Sequence, residues 1–185
     1  TLLNKFLLMR PLKLLTPVIF FALFLNCAFS QSGWKNINDY RAYYYLDGQY
    51  ISNSIVYLCG GFNGIAKSSD GGMNWTWKTN IQDYYNGFSN MQFFDEQKGI
   101  ISGEYIGVYK TLNGGDTWQK IYSTDNEAYV GSVSFVNENT GYIQVKISSK
   151  ILRTTNGGAS WVEVYDSPKS VSNIIFINEL TGFTN

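Results

Sequence analysis

A nine-residue segment occurs three times at a fixed interval. Lys67-Ser68-Ser69-Asp70-Gly71-Gly72-Met73-Asn74-Trp75 returns as Lys110-Thr111-Leu112-Asn113-Gly114-Gly115-Asp116-Thr117-Trp118 and as Arg153-Thr154-Thr155-Asn156-Gly157-Gly158-Ala159-Ser160-Trp161, so successive tryptophans fall 43 residues apart. A second landmark keeps nearly the same interval: Phe93, Phe135 and Phe176 each stand six residues before a glycine, Gly99, Gly141 and Gly182. Two landmarks holding one period mean one supersecondary unit copied along the chain, with each copy needing its neighbours to bury its apolar surface.

Within the unit, Gly99 to Lys110 alternates with period two, and Val56 to Lys67 aligns with it without a gap, placing Gly60 on Gly103 and Gly64 on Gly107. Alternation of this kind predicts half-buried strands, and the glycines predict hairpin turns. Each unit therefore reads as four short strands: one ending at the aromatic landmark, one after its glycine, one ending in Lys or Arg, and one running on from the tryptophan. A four-stranded unit of about 40–45 residues has the size of a propeller blade. Composition agrees, with 17% aromatic and 15% charged residues, 18 Gly and only 3 Pro, a balance that suits strands and tight turns. The expectation is an all-β chain: a β-propeller fragment of about three to four four-stranded blades over residues 31–185, incomplete at its C-terminus. The segment from Tyr40 to Ile51 is expected to contribute to the first or closing blade.

The first 30 residues read differently. Arg10 and Lys13 precede the apolar run Leu14 to Leu25, and Ala28-Phe29-Ser30 follows it. A charged start, a short apolar core and a small-x-small site describe a secretory leader cut after Ser30, with Met9 as a possible true start; the run is too short for a spanning helix. Secreted, periplasmic or cell-surface placement follows as an expectation, with no membrane span after cleavage. Cys27 leaves with the leader unless it carries a lipid, so no intrachain disulfide forms, and Cys59 reads as a buried strand thiol. The mature chain then holds 11 basic and 14 acidic side chains, which excludes the basic field that nucleic-acid binding requires.

The turn motif has a physical reason for its residues. Asp70, Asn113 and Asn156 can accept backbone N–H groups two residues on, Gly72, Gly115 and Gly158 with their preceding glycines supply positive φ, and Ser68, Thr111 and Thr154 add a hydroxyl. Trp75, Trp118 and Trp161 plug apolar area between strands. A calcium loop is the functional alternative, but Asn in two of three copies supplies no charge and no acidic set surrounds it. No metal site and no cofactor is expected. A second candidate is a loop, Asp83-Tyr84-Tyr85-Asn86, whose aromatics and amides suit ligand contact; Tyr40, Tyr43, Tyr44, Tyr45 and Tyr50 read instead as strand filling.

The motif Ser68-x-Asp70-x-Gly72-x-x-Trp75 and its copies resemble the Asp-box, or BNR, repeat. The Thr-Asn-Gly-Gly-x-Ser/Thr-Trp form with its preceding Phe…Gly element resembles the photosystem II assembly and stability factor-like propellers, over about Val56 to Asn185. The resemblance implies a propeller with the box at the blade periphery, as in sialidases, xyloglucanases and sortilin-type receptors, and a protein-docking role. Catalysis is not expected. The chain has no His, which removes Ser-His-Asp and Cys-His pairs, and Arg41 and Arg153 are too few for the three-arginine cluster of a sialidase. Carboxylates at Asp39, Asp47, Asp83, Asp95, Glu96, Glu104, Asp125, Glu127 and Glu138 form no distinctive glycosidase pair. The function expected is an interaction scaffold that binds a protein or glycan partner; the alternative is the front part of a carbohydrate-active propeller enzyme.

Overall fold

The structure is a computed structural model, and it describes residues 28–30, 33–35, 45–61, 64–78, 81, 87–103, 106–123, 130–146, 148–166 and 171–185. The expected leader core and the 83–86 loop lie outside them.

Every described element is a strand. A two-stranded antiparallel pair, β1 (Ala28–Ser30) and β2 (Gly33–Lys35), is followed by three four-stranded antiparallel sheets. The first contains β3 (Tyr45–Tyr50), β4 (Val56–Gly60), β5 (Gly64–Ser68) and β6 (Thr76–Trp77); the second contains β7 (Asn90–Phe93), β8 (Gly99–Gly103), β9 (Gly107–Thr111) and β10 (Gln119–Tyr122). The third contains β11 (Val130–Phe135), β12 (Gly141–Val145), β13 (Lys150–Thr154) and β14 (Val162–Asp166), and β15 (Ile174–Phe176) pairs with β16 (Gly182–Thr184) as two strands of a fourth. Each sheet is a meander in chain order, which is the blade that the 43-residue period predicts. The fold is all-β with propeller-type blades, and β3 brings Tyr45 to Tyr50 into the first blade as its first strand.

The aromatic–glycine landmark is a cross-strand pair. Phe93 faces Gly99, Phe135 faces Gly141 and Phe176 faces Gly182 in register across the first hairpin of three blades. The ring lies flat over the glycine, so that a Cβ on Gly99 or Gly182 would sit 2.6 Å from it. In the first blade the pair is Tyr50 and Val56, which is why the landmark is missing there. The ring then packs on the preceding blade: Phe93 stacks on Tyr57 at 3.8 Å and Phe176 on Tyr142 at 3.5 Å between centroids.

One expectation is corrected. The second strands do not alternate: β4, β8 and β12 are buried at every residue. A blade interior has neighbouring blades against both faces, so Val56-Tyr57-Leu58-Cys59 and Ile100-Ile101-Ser102 read as continuous buried runs, as in any sheet covered on two sides. Cys59 is a free, fully buried thiol here. β14, last in its sheet, is exposed throughout.

Candidate functional site

The three Asp-box turns join the third strand of a blade to the fourth. Ser68 Oγ accepts the N–H of Gly72 at 2.8 Å and of Asp70 at 3.3 Å, and donates to Asp70 Oδ1 at 2.8 Å. Thr111 and Thr154 accept Gly115 and Gly158 N–H, each at 2.9 Å. The carboxylate or amide oxygen is used differently from the expectation. Asp70 Oδ1 accepts Asn74 N–H at 2.8 Å, and Asn113 and Asn156 Oδ1 accept Thr117 and Ser160 N–H at 2.9 Å. Positive φ at both glycines of each turn, such as 73° and 93° at Gly71 and Gly72, rewinds the chain: the N–H two residues on meets the hydroxyl, and the one four residues on meets the Asx oxygen.

Two predictions arise from this turn. Thr154→Val keeps shape but leaves the Gly158 and Asn156 N–H groups without their acceptor, and the expected loss is about 1–3 kcal/mol, read from the urea midpoint at unchanged m. Asp70→Asn is expected to change acid sensitivity rather than architecture, since Asn does the same work in the other copies. Backbone and side-chain donation by Asn74, with Ser68, holds the Asp70 carboxyl down at about 2. A folded-state pKa below the unfolded one contributes stability above pH ~4 that is lost as pH falls toward 2. Asp70→Asn should therefore flatten Tm against pH between 4 and 2; an unchanged slope contradicts this.

Trp118 and Trp161 pack both on their own blade and against clusters that include the preceding one. Within the blade Trp118 meets Phe93 edge-on at 6.1 Å and Trp161 meets Phe135 edge-on at 6.1 Å, while Trp161 Nε1 donates to the Ile121 carbonyl of the preceding blade at 3.0 Å. Trp75 Nε1 donates within its own turn, to Gly72 O at 2.9 Å. The residue opening each box also reaches forward: Lys110 Nζ approaches the carbonyls of Glu138 and Gly157, and Arg153 pairs with Glu179 at 3.3 Å. These are packing contacts. Among the described residues no cluster of three metal-ligating side chains forms, and no helix is long and apolar enough to cross a membrane.

A different set of residues, which motif reading missed, joins the blades at their inner edge. The first strands β3, β7, β11 and β15 lie side by side. Gln49 Nε2 donates to Phe93 O at 2.9 Å and its Oε1 accepts Phe93 N–H at 2.6 Å. Gln92 does the same to Phe135, at 2.7 and 3.0 Å, and Ser134 Oγ accepts Phe176 N–H at 2.9 Å. Each glutamine amide uses one N–H and its carbonyl oxygen as a peptide group would, so it supplies the ladder bonds that successive inner strands do not make directly. Asp47 Oδ2 accepts Met91 N–H at 2.8 Å in the same row.

These strands enclose a cavity of about 280 Å³ lined by Asp47, Gln49, Asn90, Met91, Gln92, Ile100, Ser102 and Val133. Its wall from the first strands is half-buried, and its floor, Ile100 and Ser102 of β8, is fully buried. Burial pushes the Asp47 carboxyl up, partly countered by the N–H groups of Met91 and Gly48. Burial also pushes the Cys59 thiol, paired with Asp47 across the strands, well up, so it is no nucleophile. A second cavity, of about 450 Å³, lies between the third and fourth sheets against Tyr142, Arg153, Phe176 and Phe183. One interface earlier, Leu152 and Trp161 fill the corresponding space.

Residues 23–110 and 88–181 match, in two overlapping copies, the family described as Photosynthesis system II assembly factor YCF48. The chain is similar to a solved structure of YCF48 bound to D1 peptide, at 22% identity and a TM-score of 0.59, covering 70% of this chain and 43% of that one. It thus spans less than half of that protein. It is also similar to YCF48 from Cyanidioschyzon merolae, at 12% identity and a TM-score of 0.43 over 82% of this chain and 67% of that one. A third likeness is to the GH74 xyloglucanase from Xanthomonas campestris, at 12% identity and a TM-score of 0.47 over 65% and 23%. No curated protein matches the chain.

Proposed function

The chain belongs to the Photosynthesis system II assembly factor YCF48 family, and on that premise we propose that it is a protein-binding scaffold that performs no chemistry. The observation that carries this reading is the family match across the blades, in a family with a solved member that holds a peptide, D1, in the case of YCF48. The box residues support the reading by what they are occupied with: Ser68, Asp70, Thr111, Asn113, Thr154 and Asn156 are spent on their own turns. Contact with a partner then falls to the inner strands and to loops such as Asp83-Tyr84-Tyr85-Asn86. Export through the leader at residues 1–30, to the periplasm, the cell surface or beyond, belongs to the same proposal.

Arrays of peptides and of glycans probed with the purified chain test it. Saturable binding to a subset of peptides is expected, with no product formed from xyloglucan or sialosides. Glycan hydrolysis without peptide binding overturns the reading in favour of a carbohydrate-active propeller.

A further inference from the structure

The inner cavity holds a half-buried carboxylate with no cation beside it among the described residues. Asp47 has its two oxygens on the N–H groups of Gly48 and Met91, both at 2.8 Å, and each oxygen retains a second lone pair. Those two bonds anchor the group without neutralising it, and a charge partly withdrawn from water gains from an opposite charge brought beside it. Two further acceptors share the cavity. Ser102 Oγ is buried and unpartnered on its floor, and Asn90 uses its Nδ2 on Ser89, leaving the amide oxygen without a partner among the described residues. Met91, Ile100 and Val133 supply the apolar part of the lining. No cationic side chain is among the lining residues.

The size narrows the occupant. At about 280 Å³ the space falls below the range of roughly 300–1,000 Å³ that encloses a whole small-molecule ligand, but it accommodates one long side chain. An anion, acceptors around it and an apolar wall match a charged head on an alkyl stem.

We propose that this cavity receives a single lysine or arginine side chain of a peptide partner, its cation against Asp47 and its methylene stem along Met91 and Val133. The inference rests on the protein-binding reading and names the chemistry of the partner. Binding there joins the first two blades from the inside, because Asp47 belongs to β3 while Asn90 and Met91 belong to β7.

The test uses side-chain analogues, so that it can fail separately from the scaffold reading. n-Butylammonium, n-butylguanidinium and n-butanol are titrated into the full chain, with the Met91 and Ile100 methyl signals followed by NMR. Either cation is expected to bind at least about tenfold more tightly than butanol, with the margin shrinking as salt is raised and vanishing in Asp47→Asn. Butanol binding as tightly as the cations, no binding by either cation, or an unchanged margin in Asp47→Asn overturns the proposal. If Asp47→Asn does not fold, the three-ligand comparison on the unaltered chain decides alone. Array peptides that bind irrespective of Lys or Arg content would defeat the cavity proposal and leave the scaffold reading standing, whereas no peptide binding at all defeats the scaffold reading.

Discussion

Phe135→Ala is expected to remove about 3–5 kcal/mol of stability, a large part of the roughly 5–15 kcal/mol that holds an ordinary domain folded. The ring is 4% exposed and serves two blades at once. Within its own blade it covers Gly141, its cross-strand partner. It also meets Trp161 of its own blade at 6.1 Å, and between blades it contacts Phe94 at 6.0 Å, in one cluster with Ile100, Val108, Val130 and Ile143. Gly141 has no side chain to move into the vacated space, so the cavity stays open and the larger end of the range applies. Urea denaturation measures it: a midpoint lowered at constant m is expected, and a loss under about 1 kcal/mol would show that this interface does not carry the packing ascribed to it.

Gly107→Ala attacks the hairpin between β8 and β9 instead. Gly107 has φ of 94° and closes the register opposite Gly103. An added Cβ suffers twice. The backbone angle alone costs an L-residue about 1–3 kcal/mol, and the new methyl runs into the Tyr122 carbonyl oxygen on β10. Because that obstacle is backbone, the fourth strand must shift, taking with it the Ile121 carbonyl that holds Trp161. The expected result is a variant that melts well below the parent, while Leu112→Ala, at a side chain 63% exposed, stays within about 0.5 kcal/mol of it. Equal melting of the two variants would contradict the account of the turn.

The fold was legible because its determinants are local and repeated. Glycine pairs that need positive φ, an aromatic that needs a bare partner across a hairpin, and a tryptophan after each turn all leave marks at one interval in a single chain. What lay between blades was far less legible. Gln49 and Gln92 also stand 43 residues apart, yet a lone glutamine on a strand reads as an exposed polar residue until the next inner strand is beside it. Asp47 was one of nine unremarkable carboxylates for the same reason: the cavity it lines is closed by β7 and β8, distant in sequence. The second strands misled in the opposite direction, since burial on both faces erases the alternation that a one-sided sheet would show. Of the two candidate regions read from sequence, the Asp-box residues are found occupied with one another and with the neighbouring blade, and the 83–86 loop lies outside the described residues.

The central claim is that partners bind the inner strands and loops of this scaffold while the box turns only hold the blades. Titrating the full chain with the tightest-binding array peptide, followed residue by residue in amide NMR spectra, tests it most directly. The account predicts saturable shifts at Asp47, Gln49, Asn90, Met91 and Gln92 and in the loops, with the turns at Ser68 to Trp75, Thr111 to Trp118 and Thr154 to Trp161 unmoved. Shifts confined to those three turns, or peptide that binds nowhere on the chain, would contradict it.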